Sequence, residues 1–396
     1  MKSRLNIAIV HFSLNFLGGA EKLCLTTIDA LKFAGHKVTL VSVERTDWNM
    51  VKKNFGKVIM PDHEIYFLNA KLSKRLSNVA IAITLLTIHI VQHIFLRLLD
   101  RYDLIINTQG DLLNSIVDIV YVHFPLKASV EYSQIPPITS SVGWKIQSGL
   151  YNVVVFFLDN VPSKVILTNS IFVKGIIENS LHRDALVLYP PVDLEVFLPL
   201  AENQKRENTV ITVSGFSPKK NLEIVPLIAQ NTKSAKFVIV GRADEYSRET
   251  LERLSRIVRE SDLEERIELL INVPRSILRQ LLSRAKIYLH VMPQEHFGTA
   301  IVEGMASGCV PLVHKSGGPW LDILEQKQGK YGYAYNSMKE AAMRIDLLLN
   351  DEHLRRRIAN AAMNRALAFD KTVFKKKIAA ISEKLYSFKL KEGKQN

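Results

Sequence analysis

The sequence predicts an α/β protein of two Rossmann-like domains, and three observations carry that prediction. Apolar runs of strand length alternate with helical patterns through both halves of the chain, as parallel sheets covered by helices require. The alternation is broken once, by Pro190-Pro191 and the charged run 201–208 (AENQKREN), which marks a domain boundary. A chain of 396 residues with 47% hydrophobic content is long enough for two large cores. The domains implied are 1–200 and 201–371, with a terminal helical segment at 372–396.

In the first half, residues 5–12 (LNIAIVHF) read as a buried strand. Gly18 and Gly19 then precede a helical pattern through Leu23, Thr27, Ala30 and Leu31. Strand, glycine turn and helix form a nucleotide-binding opening, because glycines let backbone N–H groups approach a diphosphate. A plain tight turn is the alternative. Residues 37–43 (KVTLVSV) read as the next strand, 103–108 (DLIINT) and 118–125 (DIVYVHFP) as further ones. His123 falls at the carboxyl end of the last, where open α/β sheets gather ligands, although such a histidine is often only a satisfied core residue. Strands at 164–169 and 185–189 complete this half.

The segment 71–99 opens with Lys71, Lys74 and Arg75 and continues into an apolar stretch of about the ~20 residues that span a bilayer. Thr84, Thr87, His89, Gln92, His93 and Arg97 interrupt it. A lone span would also put two parts of one domain on opposite sides of a membrane. The favoured reading is a helix lying on or dipping into the cytoplasmic leaflet, with its basic flank on anionic lipid; a buried core helix is the alternative. After a loop at 135–141, the helical stretch 144–158 ends in LYNVVVFFL, a second candidate for contact with membrane or a lipid acceptor.

In the second half, strands are expected at 209–213, 236–240, 266–270 and 285–290, with a turn at 215–220 that carries Lys219 and Lys220. Helices are expected at 221–229, after Pro274, at 337–349, 352–367 and 372–388. The stretch 291–320 concentrates chemistry. Glu295 stands in a loop at the mouth of a helix running from Thr299 to Ser307, and Glu303 lies inside that helix. The mouth, from about Gly298 to Ala300, presents free backbone N–H groups suited to a phosphate or a sugar oxygen. Two solvated acids on an ordinary surface helix are the alternative.

The formal charge of +13 draws the chain to anionic partners such as phospholipid head groups or nucleotide phosphates. Scattered basic residues without interleaved aromatics argue against a nucleic-acid partner. Cys24 and Cys309 stand far apart, with neither disulfide nor metal-ligand spacing, and no signal peptide is expected at the first apolar run.

The run HVMPQEHFGTAIVEGMASGCVPLVHKSGGPWLDI at 290–323 resembles the donor-binding signature of retaining GT-B glycosyltransferases of family 4, in which two glutamates are separated by seven residues. The EHFG and SGGP elements are most similar to the α-1,2-mannosyltransferases of asparagine-linked glycosylation that extend lipid-linked oligosaccharides. YVHFP at Tyr121, KIQSGLYNVVVFFLDNVPSKVILTNS from Lys145, YPPVD at Tyr189 and INVP at Ile271 also match, so the resemblance covers nearly the whole chain.

This resemblance implies an α/β GT-B fold, two Rossmann-like domains facing each other across a cleft. The N-terminal one would face acceptor and membrane, the second would bind the donor, and the segment from Thr372 would pack back on the first. It implies a retaining, metal-independent glycosyltransferase of the front-face kind, without a cofactor. Mannose would pass from GDP-mannose in α-1,2 linkage to a dolichyl diphosphate-linked glycan, on the cytoplasmic side of a membrane that the protein meets peripherally or monotopically. Glu295 would hold the transferred sugar, Glu303 the ribose, and the amides of Phe297, Gly298, Thr299 and Ala300 the sugar and diphosphate. His123 would lie near the sugar, and Gly18 and Gly19 would admit the diphosphate. Lys220 matches the lysine that neutralises the leaving group, whereas the family's arginine five residues earlier is Gly215 here. Lys219 and Arg242 are the candidate helpers. A UDP-sugar donor with another acceptor, or a silent binding protein, are the alternatives.

Overall fold

A computed structural model describes residues 4–68, 101–110, 117–125, 128, 164–198, 206–243 and 247–392. The chain divides into two compact units. Unit 1 is Met1–Asn169, Val173–Pro191 and Thr372–Asn396, and unit 2 is Ser170–Phe172 and Val192–Lys371.

Unit 1 is built on β1 (Asn6–Val10), α1 (Gly19–Phe33), β2 (Lys37–Glu44), α2 (Trp48–Phe55), β3 (His63–Leu68), β4 (Leu104–Asn107), β5 (Ile119–Val122), β6 (Val165–Thr168), α3 (Ile171–Leu181) and β7 (Leu186–Val187). The strands pair in parallel in the order β3-β2-β1-β4-β5-β6-β7. Ile7, Ala8, Ile9 and Val10 are completely buried, because a parallel strand sheathed on both faces has no solvent side.

Unit 2 continues with β8 (Glu207–Val213), α4 (Ile224–Gln230), β9 (Lys236–Gly241), α5 (Arg248–Glu260), β10 (Ile267–Ile271), α6 (Arg275–Arg284), β11 (Ala285–His290), α7 (Thr299–Ala306), β12 (Val310–His314), β13 (Tyr333–Tyr335), α8 (Met338–Asn350) and α9 (Glu352–Ala366). Its parallel sheet has the order β10-β9-β8-β11-β12-β13. Phe237, Ile239, Ile287, Leu289 and Leu312 join Ile228, Leu254 and Ile345 from the helices in one core.

The last helix, α10 (Lys371–Glu392), belongs to unit 1 from Thr372 onward. Phe374, Ile378 and Leu385, spaced along one stripe, enter the core that holds Leu5, Leu31 and Leu104. Ion pairs fix its register, Lys375 to Asp29 at 2.6 Å and Lys389 to Asp118 at 2.9 Å, and Glu383 lies 3.7 Å from His36 Nε2. Lys389 also donates to the Asp103 carbonyl. Leu5, Asp103 and Asp118 precede β1, β4 and β5, so α10 runs along the amino-terminal edge of the sheet. In unit 2, Val192 and Asp370 form a parallel bridge, reinforced by a Lys371–Asp193 ion pair of 3.1 Å.

Three predicted features, the segment 71–99, the loop 135–141 and the helix 144–158, lie outside the described residues. Among the described residues no helix is long and apolar enough to cross a membrane. β3 and β13 were not expected. β3 is an edge strand with no buried residue, so it carries no apolar run, and β13 has only three residues.

Candidate functional site

In each sheet the strand order reverses at one place, between β1 and β4 in unit 1 and between β8 and β11 in unit 2. Ligands of open parallel sheets bind beyond the carboxyl ends of the strands at such a switch point. Gly18 and Gly19 follow β1, Lys219 and Lys220 follow β8, and the loop 291–298 follows β11. Arg242 follows β9 and His123 follows β5. Each unit therefore carries its candidate residues on one edge.

In unit 2 the centre is Glu295. Its Oε2 accepts from Lys220 Nζ at 2.8 Å and lies 3.4 Å from His290 Nε2, while Oε1 accepts from the His296 amide at 3.1 Å. The side chain is 13% exposed, and that of Lys220 is 31% exposed. Burial alone would raise the Glu295 pKa, but His290 and Lys220 together hold it well below the usual carboxylate range. The carboxylate is therefore ionised at neutral pH and can accept from sugar hydroxyls. Lys220 Nζ also reaches Met292 Sδ at 3.3 Å. The structure thus brings Glu295 and Lys220 together, and adds His290, which sequence reasoning missed. Its only advance signal was its place as the last residue of a strand at the switch point.

The loop holding Glu295 is clamped from below by Ser316-Gly317-Gly318. Gly318 N donates to Glu295 O at 2.8 Å, and Gln294 N donates to Ser316 Oγ at 2.8 Å. A Cβ on Gly317 would stand 2.4 Å from Glu295 O, and one on Gly318 would stand 2.2 Å from His296 O. Only glycine allows so close an approach. Phe297 is buried edge-on against Phe369 at 5.3 Å, which anchors the loop from the other side. Gly298, at φ +92°, then turns the chain into α7, where no side chain caps the helix. The mouth formed by Gly298, Thr299 and Ala300 is thus open to an anion or a hydroxyl oxygen.

Glu303, 18% exposed on α7, faces Arg275 Nη2 at 4.0 Å, and the same guanidinium lies 3.5 Å from Asp193. Arg275 was not among the expected residues. Gly215 has open space around it: the nearest atom to a Cβ there would be the Arg242 carbonyl oxygen at 3.9 Å. Phe216 N donates to that same oxygen at 3.0 Å, so the backbone of Arg242 lies beside the position where the family's arginine would stand. Lys219 is exposed on the turn before Lys220.

In unit 1, Gly18 N donates to Glu21 Oε2 at 2.6 Å, closing a capping box at the start of α1, so this amide is already engaged. Gly19 is the exposed first residue of the helix. Behind them lies a buried pair that the sequence did not reveal. Glu21 Oε1 is 3.6 Å from His11 Nε2, and His11 Nδ1 bonds Thr108 Oγ1 at 3.0 Å. Burial alone would lower the His11 pKa, but Cys24 and Glu21 raise it to about 9. His123 Nε2 sits 3.1 Å from the Thr108 carbonyl, which can only accept, so this nitrogen carries a proton. The His123 carbonyl accepts from Asn169, and its ring leans on Tyr121.

Residues 200–365 match the family model for glycosyl transferases group 1. Over 259 residues the chain is 28% identical to the GDP-Man:Man(3)GlcNAc(2)-PP-Dol alpha-1,2-mannosyltransferase of Dictyostelium discoideum, covering 61% of this chain and 50% of that protein. The enzyme of the same name from Homo sapiens is 32% identical over 218 residues, covering 50% and 44%. The chain spans about half the length of these relatives. The crystal structure of Anabaena HepE with UDP and glucose is similar at a TM-score of 0.65 and 18% identity, over 96% of this chain and 99% of that one. The chain thus has the GT-B fold, and its residues 200–365 are similar to glycosyl transferases group 1.

Proposed function

We propose that the chain is a retaining, metal-independent glycosyltransferase that moves mannose from GDP-mannose, in α-1,2 linkage, onto a dolichyl diphosphate-linked oligosaccharide at the cytoplasmic face of a membrane. The observation that carries this reading is the Lys220–Glu295 pair beside the uncapped mouth of α7. It puts a cation, a carboxylate and open amides within one loop cluster, the set that a sugar diphosphate requires. The names of the relatives support the donor and the acceptor.

In this reading Glu295 accepts from hydroxyls of the transferred mannose and Glu303 from those of the ribose. Lys220 and the amides of Phe297 to Ala300 offset the charge that develops on the departing diphosphate. Lys219 and Arg242 supply positive charge where Gly215 replaces an arginine. His123 serves the sugar, and Gly18 and Gly19 leave room for the diphosphate. Unit 1 takes the lipid-linked acceptor and unit 2 the donor. The protein meets an anionic membrane surface peripherally or monotopically and has no nucleic-acid partner.

Calorimetric titration with GDP-mannose, UDP-glucose and UDP-N-acetylglucosamine tests the donor assignment. GDP-mannose is expected to bind at least ~10-fold more tightly than either UDP-sugar, a gap of about 1.4 kcal/mol. Preference for a UDP-sugar would replace the donor.

A further inference from the structure

The buried imidazole of His290 stands out from the rest of unit 2. The residue is 6% exposed, and its Nε2 has no hydrogen-bond partner. Buried polar atoms are nearly always satisfied, so an orphan at the edge of a site calls for a cause. Its nearest acceptor is Glu295 Oε2, at 3.4 Å, and that oxygen is already taken by Lys220 at 2.8 Å. One carboxylate oxygen therefore faces two donors and is bonded to only one. His290 itself cannot drift away. It ends β11, and its carbonyl accepts from the Tyr335 hydroxyl at 3.1 Å. Lys220 is the more exposed partner, with a long side chain 31% exposed on a short turn.

A second fact gives this arrangement its direction. Under the proposed function, Lys220 must turn to the diphosphate of the donor, and Glu295 must stay in place for the sugar. The departure of Lys220 would leave a largely buried carboxylate without a cation, which is costly unless another donor takes over. We propose that His290 is a positioning residue that receives Glu295 Oε2 when Lys220 is drawn to the donor diphosphate. The orphaned Nε2 gains its hydrogen bond in that state, and Oε1 remains on the His296 amide. The carboxylate thereby keeps its orientation while its cation is lent to the leaving group. This rests on the glycosyltransferase reading and assigns a role to the first residue of the signature-like run, for which the resemblance implied none.

The test compares His290→Gln, whose side-chain amide nitrogen can occupy the place of Nε2, with His290→Leu, which keeps the bulk without a donor. Both are measured for GDP binding, GDP-mannose binding and transfer. Because the diphosphate alone draws Lys220 away, His290→Leu is expected to weaken GDP as well as GDP-mannose, His290→Gln is expected to bind GDP within about 2-fold of the native chain, and circular dichroism reports that both variants are folded. His290→Leu is expected to lose about 10-fold in GDP-mannose affinity or kcat, and His290→Gln to recover most of it. In the native chain, the ring nitrogen resonances of His290 are expected to shift on adding GDP, since the diphosphate alone suffices to attract Lys220. Equal losses in the two variants, no loss in either, or a ring signal indifferent to GDP would overturn the proposal. A native chain that binds neither GDP nor any sugar nucleotide overturns the glycosyltransferase reading and this inference with it.

Discussion

In the proposed function Glu295 is the residue on which transfer depends, and its environment makes that reading testable. A carboxylate held in ionised form by a lysine and faced by a histidine is a preorganised acceptor, and removing it should cost transfer far more than stability. Glu295→Ala and His123→Ala are each expected to lower transfer at least ~100-fold with unchanged circular dichroism. Near-normal rates in both would sink the site assignment. The lowered Glu295 pKa means that its ionic stabilisation is present above the ordinary carboxylate value and is lost only as pH falls through a value well below it. Loss of activity above about pH 5 must then come from another group.

His11 behaves in the opposite sense. Its pKa is raised to about 9 by Cys24 and Glu21 against the effect of burial, so its interactions with them stabilise the fold fully below the unfolded value near 6.5 and are lost as pH climbs through about 9. In denaturant titrations, His11→Gln should be clearly less stable than the native chain near pH ~6. The gap should narrow by about pH 10. A gap independent of pH would mean that His11 is neutral and merely packed.

At the scale of elements, the site depends on loops pressed together. Gly317→Ala would place a methyl 2.4 Å from Glu295 O at a backbone φ of +68°. It is expected to cost about 2–4 kcal/mol in stability and to reduce transfer with it, by moving the loop that carries Glu295. A variant with native melting temperature would contradict the clamp. Helix α10 makes a different contribution. Ile378→Ala opens a cavity in the core of unit 1 and should cost about 2–4 kcal/mol, read from the denaturation midpoint.

These elements also mark how far the sequence could be read. Buried parallel strands such as β1 and β11 announce themselves as apolar runs, and the stripe of α10 is readable at Ile378 and Leu385, whereas the burial of Phe374 appears only in the fold. β3 is hidden because an edge strand need not be apolar, and β13 because three residues carry no period. Glu295, Glu303 and Lys220 could be named as candidates from the sequence because motif and helix mouth coincide there. His290 and Arg275 were not, since what matters about each is a contact that exists only in the folded chain. The engagement of the Gly18 amide by Glu21 likewise depends on a side-chain direction, which a glycine pair in a sequence does not encode.

For the whole molecule, the two units have separate sheets, separate cores and candidate residues at their own carboxyl edges. The charge of +13 is compatible with the nucleotide diphosphate, lipid diphosphate and anionic surface of the proposed function, and it says nothing of the choice of sugar. The most direct measurement supplies the full chain with radiolabelled GDP-mannose and a membrane extract containing dolichyl diphosphate-linked oligosaccharides, then follows the label in the extracted lipid. The account predicts lipid-linked label that an α-1,2-mannosidase removes and that the Glu295→Ala chain fails to make. Label that stays out of the lipid fraction, or equal labelling by the Glu295→Ala chain, would contradict it.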